Sequence, residues 1–389
     1  MQHQNRPQGR TLRVALDQRA IGWREGTGVA RYRDNLVRAV GTFGSMEPVG
    51  DGEERPAWRD LPRTLGGRAM LDRAGAGWRA DDLYRLAQRH FRLTGRLLRI
   101  EAADPPNLVH WSHPMPILWA GCPSVCTVHD LIPMEAPALT GMSGPRQDRL
   151  LRGLLAAGTQ FATVSETVRE ALIGRYRLDP ACVVECGQAA VVGTPGALPE
   201  GLRPGGYFLV LGRVETRKNI ERLLRAYRAS GTDLPIALAG PEGHWASAAE
   251  RARVEELAAA PNVIRLGWQP DEVVAALLTH ARALLMPSLA EGFGLPAAEA
   301  MVAGVPVLSA NRGATLEIAG DAALMVEPGN EAMIAAAIAR LDRDAALRAD
   351  LIERGRRRAL RFGIESFADR LRALYEGVIA RGIRASSCA

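Results

Sequence analysis

Short apolar runs alternate with longer amphipathic stretches along most of the chain, and this alternation limits the fold more than any other feature. The runs are three to five residues long, which suits buried strands. Strands that alternate with helices form parallel sheets covered by helices on both faces. The sequence therefore predicts an α/β fold of doubly wound parallel sheets. The predicted strands are Leu12–Leu16, Asn107–His110, Ser124–Val128, Phe161–Val164, Tyr207–Leu211, Ile236–Leu238, Val263–Leu266, Ala283–Met286 and Val305–Leu308.

The alternation breaks between Gly187 and Gly206, where the chain has six glycines, three prolines and no periodic face. Such a stretch is typical of a linker. A chain of 389 residues is too long for one typical core and suits two domains. In the first domain an amphipathic helix is expected over Gly28–Val40. Residues 45–80 are rich in Gly, Pro and Arg and are interpreted as a variable loop region.

A loop near residue 290 gives the clearest indication of a site. Glu291 lies on a Gly-Phe-Gly loop, and Glu299 lies eight residues later, about one turn inside the helix that the loop is expected to open. Pro296 suits a first helical position, and Gly292 and Gly294 let a ligand approach the backbone. Free N–H groups at a helix start bind phosphate. The pattern predicts a site for a phosphate-bearing polyol; an ordinary turn with two solvated glutamates is the alternative.

A second cluster follows the predicted strand that ends at Leu211. Arg213 lies just past its C-terminal end, and Lys218 and Asn219 lie at or near the start of the next helix. Open α/β sheets bind ligands at that edge. Lys218 is the only lysine among 49 basic residues, and a compact ammonium contacts phosphate as a point charge whereas a guanidinium makes a forked contact. Arg213 and Lys218 are predicted to hold a diphosphate, unless this lysine was left on the surface by chance.

These clusters resemble those of the retaining glycosyltransferases of family 4, which have the two-domain GT-B fold. The resemblance covers about residues 12–375 and is most specific in the C-terminal half. It is carried there by Gly212-Arg213, Arg217-Lys218-Asn219, Glu291-Gly-Phe-Gly-Leu-Pro296, Glu299-Ala-Met301, Gly304-Val-Pro306 and the stretch from Glu317 to Pro328, and in the N-terminal half by Gly26-Thr-Gly28-Val-Ala-Arg31-Tyr32, Thr127-Val-His-Asp-Leu-Ile-Pro133 and Thr163-Val-Ser-Glu166. The chain departs from the family at Leu316, where proline is common, and at Phe362–Ser366, where tryptophan is common.

The resemblance implies two Rossmann-like domains that face a cleft, with a last helix that crosses back to the first domain. Residues 1–190, with the returning helix at about 362–389, would form the acceptor-side domain. Residues 205–361 would bind a nucleotide-sugar donor. The acceptor would be a glycan or a lipid-linked molecule.

The resemblance also implies roles for individual residues. Glu299 would accept hydrogen bonds from the ribose hydroxyls, and Glu291 would bind sugar hydroxyls. His129 would face the sugar across the cleft, with His110 and His113 on the acceptor side. The expected catalytic residues are Glu291, Arg213, Lys218 and His129, and the expected donor-binding residues are Gly28, Gly292, Phe293, Gly294, Leu295 and Glu299.

The segment Thr127–Pro133 most resembles members that transfer mannose from GDP-mannose in bacterial polysaccharide assembly. UDP-glucose, UDP-galactose and dTDP-rhamnose stay open as donors. No carboxylate pair suited to the glycosidase mechanism is evident, so retention with front-face attack is the expectation from the family. A sugar-nucleotide epimerase and a non-catalytic binder are the alternative functions.

No cofactor or metal is expected, because the positive charge of Arg213 and Lys218 would replace that of a metal ion at the diphosphate. The single Asp-x-Asp triplet, Asp342-Arg-Asp344, falls between two helical stretches and is interpreted as an inter-helix turn. Cys122 and Cys126 could form half of a zinc site, but they flank an apolar strand and suit buried thiols better.

The net charge is +6, and the basic excess lies in the N-terminal half. Arginines there recur at steps of four and three residues, which predicts a single basic face on one helix. Such a face can lie on an anionic membrane surface, or it can simply be solvated. Nucleic acid is not expected as a partner, because few aromatic residues accompany the arginines. The arginines concerned are Arg85, Arg89, Arg92, Arg96 and Arg99.

The expected location is the cytoplasm, with peripheral attachment to the inner face of the plasma membrane as an option. The five cysteines are too few for a disulfide framework. The N-terminus lacks the apolar stretch of a signal peptide, and no run of 18 apolar residues could form a membrane span.

Overall fold

The computed structural model describes residues 12–18, 28–53 and 61–382. Their first part contains eleven strands and six helices. The strands are β1 (Leu12–Asp17), β2 (Gly44–Asp51), β3 (Arg68–Met70), β4 (Asp72–Ala74), β5 (Gly77–Ala80), β6 (Leu98–Glu101), β7 (Leu108–Trp111), β8 (Ile117–Trp119), β9 (Ser124–Val128), β10 (Gln160–Thr163) and β11 (Val183–Glu185). The helices are α1 (Gly28–Val40), α2 (Leu61–Gly66), α3 (Leu83–Thr94), α4 (Ile132–Glu135), α5 (Gly144–Ala156) and α6 (Glu166–Tyr176).

Eight of these strands form one sheet in the order β11-β10-β9-β7-β1-β2-β5-β4, and only the β4–β5 pair is antiparallel. The central strands are covered on both faces; every residue of β7, β9 and β10 is buried. Strands covered on both sides need continuous apolar runs, which is why the sequence signals them clearly. A second, three-stranded sheet has the order β3-β6-β8.

The second part of the chain forms a six-stranded parallel sheet flanked by helices. Its strands are β12 (Phe208–Leu211), β13 (Ile236–Ala239), β14 (Val263–Gly267), β15 (Ala283–Met286), β16 (Val307–Ala310) and β17 (Leu324–Val326). The helices are α7 (Ile220–Ala229), α8 (Ala248–Ala258), α9 (Asp271–His280), α10 (Leu295–Val302), α11 (Gly313–Ala319), α12 (Glu331–Arg343), α13 (Ala345–Ala359) and α14 (Ile364–Gly382).

The order of this sheet is β14-β13-β12-β15-β16-β17. The strand order reverses between β12 and β15, which pair directly. In doubly wound sheets ligands bind in the crevice at such a switch point, outside the carboxyl ends of the strands. The sheet therefore places the loops after β12 and β15 side by side.

The last helix returns to the first domain. Tyr375 on α14 lies 2.6 Å, hydroxyl to Nδ1, from His110 at the end of β7, and Phe367 packs edge-on against Tyr32 of α1 with ring centroids 5.8 Å apart. The predicted α/β class of two parallel-sheet domains with a returning C-terminal helix is confirmed. No helix or strand lies between Glu185 and Phe208, although the exact domain limits stay a prediction.

The interpretation of residues 45–80 as a variable loop region is wrong. The described part of this segment contains β2 to β5 and α2, and β2 pairs with β1 along its length. The residues of β2 have low strand propensity, so their strand conformation depends on pairing with the strongly apolar β1. The pattern of apolar residues within β2 does not reveal that pairing with β1 would make it a strand.

The prediction of a single helical arginine face is also wrong. Helix α3 ends at Thr94, and Gly95 follows in a left-handed conformation at φ 71°, donating its amide to the carbonyl of Phe91. A glycine in that conformation closes a helix. Of the five arginines, Arg85, Arg89 and Arg92 lie on α3, Arg96 follows the cap and Arg99 lies on β6. Within the described ranges, every helix is too short or too polar to cross a bilayer.

Candidate active site

The switch point of the six-stranded sheet, between β12 and β15, brings the two predicted clusters together. The loop after β12 carries Lys218, and the loop after β15 carries Glu291. The Lys218 ammonium donates to Oε1 of Glu291 at 2.7 Å, and Arg217 donates to Oε2 of the same carboxylate. A carboxylate and two cations thus meet where the sheet topology places a ligand.

Glu291 is held as a carboxylate anion. Its side chain is only 7% exposed, and burial alone would raise its pKa. The attraction of Arg217 and Lys218 outweighs burial and lowers the pKa of Glu291 to about 2. The group is therefore ionised at neutral pH.

Asn219 joins the two loops. It lies at the start of α7 with φ 61°, and its side-chain amide donates to the carbonyls of Pro287 and Pro328 at 3.0 and 2.8 Å. Gly212, at φ 115°, leaves room for the Lys218 ammonium, which lies 3.6 Å from the position that a Cβ would take. The neighbouring Arg213 donates to the carbonyl of Glu242 at 3.1 Å.

The second glutamate has a partner from the other domain. Glu299 lies on α10 and is 2% exposed. Arg31 of α1 donates from Nη1 to Oε1 of Glu299 at 2.5 Å and from Nη2 to Asp271 at 3.3 Å. Burial raises the pKa of Glu299, Arg31 opposes that rise, and the nearby Asp271 adds to it.

Gly292 lies against the backbone of the first domain. A Cβ at this position would be 1.8 Å from the carbonyl oxygen of His129. On the other side, the Ser165 hydroxyl donates to the Gly292 carbonyl at 2.7 Å. The expectation was that Gly292 lets a ligand approach; in this structure it lets the opposite wall of the cleft approach.

His129 is neutral. Its Nε2 lies 2.8 Å from the carbonyl oxygen of Ser112, and since a carbonyl only accepts, Nε2 donates and the lone pair resides on Nδ1. Burial lowers the pKa of His129 to about 4. Its ring meets the edge of Tyr32 at a centroid distance of 4.8 Å.

His110 is not on the acceptor side, contrary to expectation. It is fully buried, and its two ring nitrogens contact the hydroxyls of Tyr375 and Thr127 at 2.6 and 2.7 Å. The His110 side chain therefore belongs to the contact between β7 and α14. His113 lies at the sheet edge, 4.0 Å from the Asp17 carboxylate.

The remaining predicted residues take different positions. Phe293 is buried, and its ring packs against that of Phe362 with centroids 5.7 Å apart. Leu295 is buried as the first residue of α10. Gly294 precedes it at φ 96°, a conformation that favours glycine. Gly28 begins α1, and the position of a Cβ there has no atom within 4 Å.

Four further residues complete the site but received no role from the sequence. Arg31, Arg217 and Glu317 lie inside the motifs that carry the resemblance. Glu317 of α11 accepts hydrogen bonds from the amides of Glu166 and Thr167 at 2.8 Å, so a side chain of one domain caps helix α6 of the other. Because Arg31, Arg217 and Glu317 all lie inside these motifs, their positions in the sequence could have identified them as candidates.

The fourth is Asp17, at the carboxyl end of β1. It is 1% exposed and accepts from the amide and hydroxyl of Ser112 at 2.5 and 2.8 Å. Burial raises the pKa of Asp17, and the hydrogen bonds from Ser112 oppose that rise. Asp17 thereby fixes the residue whose carbonyl orients His129. A carboxylate directly after an apolar strand was the available signal.

The Asp-x-Asp triplet serves the packing of helices. Asp342 accepts from the Thr232 hydroxyl at 2.6 Å, and Asp344 caps α13 through the amide of Leu347. Among the described residues, no group of three His, Cys, Asp or Glu side chains is arranged to hold a metal ion.

Comparisons with known proteins agree with this architecture. Residues 203–358 match the family of glycosyl transferases group 1, and residues 71–187 match glycosyltransferase family 4. D-inositol 3-phosphate glycosyltransferase of Salinispora arenicola (strain CNS-205) is 30% identical over 302 residues, which are 69% of this chain and 67% of that protein.

O-antigen chain mannosyltransferase B of Escherichia coli is 36% identical over 165 residues, which are 41% of this chain. The match spans 43% of that protein, less than half its length. Among solved structures, Anabaena Alr3699/HepE in complex with UDP and glucose has a TM-score of 0.69 and 14% identity, with 94% of this chain and 100% of that chain covered.

Two parallel-sheet domains that face a cleft, with a returning last helix, define the GT-B class of proteins. The two family matches, and the D-inositol 3-phosphate glycosyltransferase of which this chain covers 67%, identify the family within that class. The chain belongs to glycosyltransferase family 4 and is a group 1 glycosyltransferase.

Proposed function

We propose that the chain is a retaining glycosyltransferase that moves mannose from GDP-mannose to a lipid-linked or oligosaccharide acceptor in bacterial polysaccharide biosynthesis. The observation that carries the proposal is the cluster of Lys218, Arg217 and Glu291 at the switch point. It supplies positive charge for a diphosphate next to a carboxylate for sugar hydroxyls.

In this proposal Lys218 and Arg213 bind the diphosphate that leaves. An ammonium has three donors, so Lys218 can hold Glu291 and still donate to phosphate oxygens. Fixed donors aimed at developing charge stabilise a transition state more than they stabilise the substrate. The backbone amides at the start of α10 lie at the same end of the site and add to the positive potential. Charge neutralisation would then need no metal ion.

Glu291 and His129 would flank the transferred sugar from opposite sides of the cleft. Glu291 is an anion with a pKa of about 2 and accepts hydrogen bonds only. His129 is uncharged at neutral pH because burial lowers its pKa to about 4. Groups with such low pKa values are weak bases, so the donor phosphate itself would take the proton of the acceptor, with retention at the sugar carbon.

The identity of the donor sugar nucleotide is a separate part of the proposal. Mannose is supported by the similarity of 41% of this chain to an O-antigen chain mannosyltransferase. UDP-glucose is the second candidate, because the similar fold of Alr3699/HepE binds UDP and glucose. UDP-galactose and dTDP-rhamnose are also compatible with the sequence, which contains no motif that identifies the base.

Binding of GDP, UDP and dTDP tests the donor. A nucleotide at about 100 times its dissociation constant adds about 2.7 kcal/mol to the free energy of unfolding. Thermal unfolding would be followed with each nucleotide in the presence of a chelator. Stabilisation by GDP alone supports a GDP-mannose donor without metal, stabilisation by UDP favours a glucosyl or galactosyl donor, and no stabilisation by any nucleotide, with or without metal, contradicts the proposal.

A membrane surface is the proposed partner for the outer edge of the first domain. Leu65, Met70 and Leu93 are large apolar side chains that are 60–61% exposed there. The hydrogen bond from His90 of α3 to the carbonyl of Thr64, at 2.6 Å, brings the ends of α2 and α3 together. Leu65 and Leu93 are therefore exposed side chains on two helices that lie in contact.

Arginines border these apolar side chains. Arg68 and Arg99 are register partners on β3 and β6, and they are exposed together with Arg96. Basic and apolar side chains on one surface suit anionic lipid. Sedimentation with vesicles rich in anionic lipid tests the assignment: Arg96→Glu with Arg99→Glu should weaken binding, whereas Arg357→Glu with Arg361→Glu, on the other domain, should not. Equal binding by both variants would contradict it.

A further inference from the structure

The buried Glu299 carboxylate makes a contact that the proposed reaction does not use. Its charge partner does not come from its own domain. Arg31 reaches across the cleft from the first turn of α1 and donates to Glu299 at 2.5 Å. The same guanidinium also reaches Asp271 at the start of α9, at 3.3 Å.

We propose that Arg31 is a positioning residue for the donor, which holds Glu299 as an anion able to accept both hydroxyls of a ribose and so makes the site select ribonucleoside diphosphates. The proposal rests on the proposed function, in which Glu299 binds ribose. It assigns to the first domain a part in recognising the nucleotide that the second domain binds.

The acceptor capacity of Glu299 supports this assignment. An ionised carboxylate has two oxygens and about four positions that accept hydrogen bonds, whereas a protonated one gives up part of that capacity and becomes a donor. Arg31 contacts Oε1, so the carboxylate retains positions for two hydroxyls. A ribose diol needs both. The Arg31 side chain is 27% exposed and that of Glu299 is 3% exposed, so Arg31 is the member of the pair that borders solvent.

The surroundings of Glu299 explain why Arg31 is needed. Glu299 is 2% exposed, and an isolated charge at such a position is unfavourable. Two charged groups face it, Arg31 from α1 and Asp271 from α9, and the second repels it. Arg31 is therefore the cation that counters burial.

The other elements packed against α10 supply no substitute. Strands β15 and β16 contain no charged residue. Glu317 of α11 is engaged with α6. Arg356 of α13 lies beside Gly304, beyond the C-terminal end of α10.

The first test measures the affinity of the purified full chain for GDP and 2′-deoxy-GDP by titration calorimetry, with UDP and 2′-deoxy-UDP if UDP is the nucleotide that binds. The wild-type chain should prefer the ribonucleotide, because a site built for hydroxyls rejects a ligand that lacks one. Arg31→Ala should weaken ribonucleotide binding by about 10- to 100-fold, the effect of one hydrogen bond to a charged group, and should largely remove the preference.

Two variants control for structure. Arg31→Lys keeps the charge and should recover most of the preference for ribose. Arg38→Ala removes an exposed arginine from the same helix and should match the wild type. If Arg31→Ala weakens binding of the ribonucleotide and the deoxyribonucleotide equally, Arg31 serves only as a contact between the domains and the proposal is overturned.

The second test is the dependence of the ribonucleotide affinity on pH. Glu299 must be ionised to bind, and burial raises its pKa. Without Arg31 that pKa rises further, so the loss of affinity on acidification should begin at a higher pH in Arg31→Ala than in the wild type or in Arg31→Lys. Coincident pH profiles would overturn the proposal. If no nucleotide binds the wild type at all, the proposed function fails first and the role of Arg31 fails with it.

Discussion

The surroundings of Glu291 and of Glu299 differ in origin, although the two residues lie on one loop and helix and both are buried acids beside cations. Glu291 is paired with Lys218 and Arg217, which belong to its own domain. Glu299 is paired with Arg31, which belongs to the other domain. Their pKa values move in opposite directions, that of Glu291 falling to about 2 and that of Glu299 rising.

The difference shows which part of the site depends on closure of the cleft. The charge balance of Glu291 is complete within the second domain, so it persists when the domains separate. The charge balance of Glu299 exists only while the first domain is in place. A ligand that contacts both glutamates would meet one preformed subsite and one that forms on closure.

The largest effect is expected from removing the cation within the domain. Lys218→Ala should lower turnover by about 10²- to 10³-fold, as for other fixed donors at developing charge. The fold should persist, because Arg217 still pairs with Glu291. The measurement is the rate of nucleoside diphosphate release from the sugar nucleotide that the binding experiment selects. Arg228→Ala, an exposed position on α7, is the control; turnover near the wild-type rate in Lys218→Ala would contradict the role.

Gly292→Ala would separate the two subsites. The added Cβ would lie 1.8 Å from the His129 carbonyl oxygen, so the cleft must open while the pair of Lys218 and Glu291 stays intact. A displacement of about 1 Å at a reacting centre lowers the rate by about 10²-fold. Turnover and the radius of gyration from X-ray scattering are the measurements. Gly193→Ala, with no atom within 4 Å of its Cβ, is the control, and an unchanged radius and rate would show that the cleft tolerates the methyl group.

Replacing each glutamate by glutamine should change stability in opposite directions. Glu291 has a pKa lowered from 4.5 to about 2, so its ionised form contributes about 3 kcal/mol to the free energy of unfolding. That contribution is present above pH 4.5 and is lost as pH falls towards 2. Glu291→Gln should therefore be less stable than the wild type at neutral pH, and the difference should shrink on acidification.

Glu299 has a raised pKa, so its ionised form lowers stability at neutral pH, and that loss is relieved as pH falls through the folded pKa. Glu299→Gln should be at least as stable as the wild type at pH 7, with the two converging in acid. Urea unfolding of both variants between pH 3 and pH 8 measures this. Shifts of the same sign in both variants would remove the distinction between the two glutamates.

The smallest effect is expected at the other cross-domain carboxylate. Glu317 accepts the first amides of α6, and loss of a helix cap costs about 1 kcal/mol. Glu317→Ala should lower the free energy of unfolding by about that amount. Glu353→Ala, whose side chain is 60% exposed, should change it by less. Equal values would mean that α6 is capped equally well by water.

Much of the fold could be predicted because the relevant signals are local. Helix α1 was expected at Gly28–Val40 and found there, and β9 and β15 match their predicted ranges residue for residue. Continuous apolar runs buried on both faces leave little ambiguity. The prediction that Lys218 lies at the ligand-binding edge of its sheet followed from the general position of ligands in doubly wound sheets.

The rest depends on contacts between residues far apart in sequence. Arg31 and Glu299 are separated by 268 positions, and no spacing rule connects them. The prediction of one basic helical face was wrong for a local reason, because Gly95 ends α3 before Arg96. The glycine that ends the helix was visible in the sequence. The close contact of Gly292 with the His129 carbonyl of the first domain could not have been predicted from the presence of a glycine alone.

The return of α14 sets an order for biosynthesis. His110 and Tyr32 of the first domain face α14 residues Tyr375 and Phe367, so the first domain lacks part of its interior until α14 has been translated. A nascent chain that has reached residue 361 has made all the described strands of the three sheets but leaves this surface of the first domain uncovered. Termination of translation before α14 should therefore damage the first domain, although β1 to β11 have all been made.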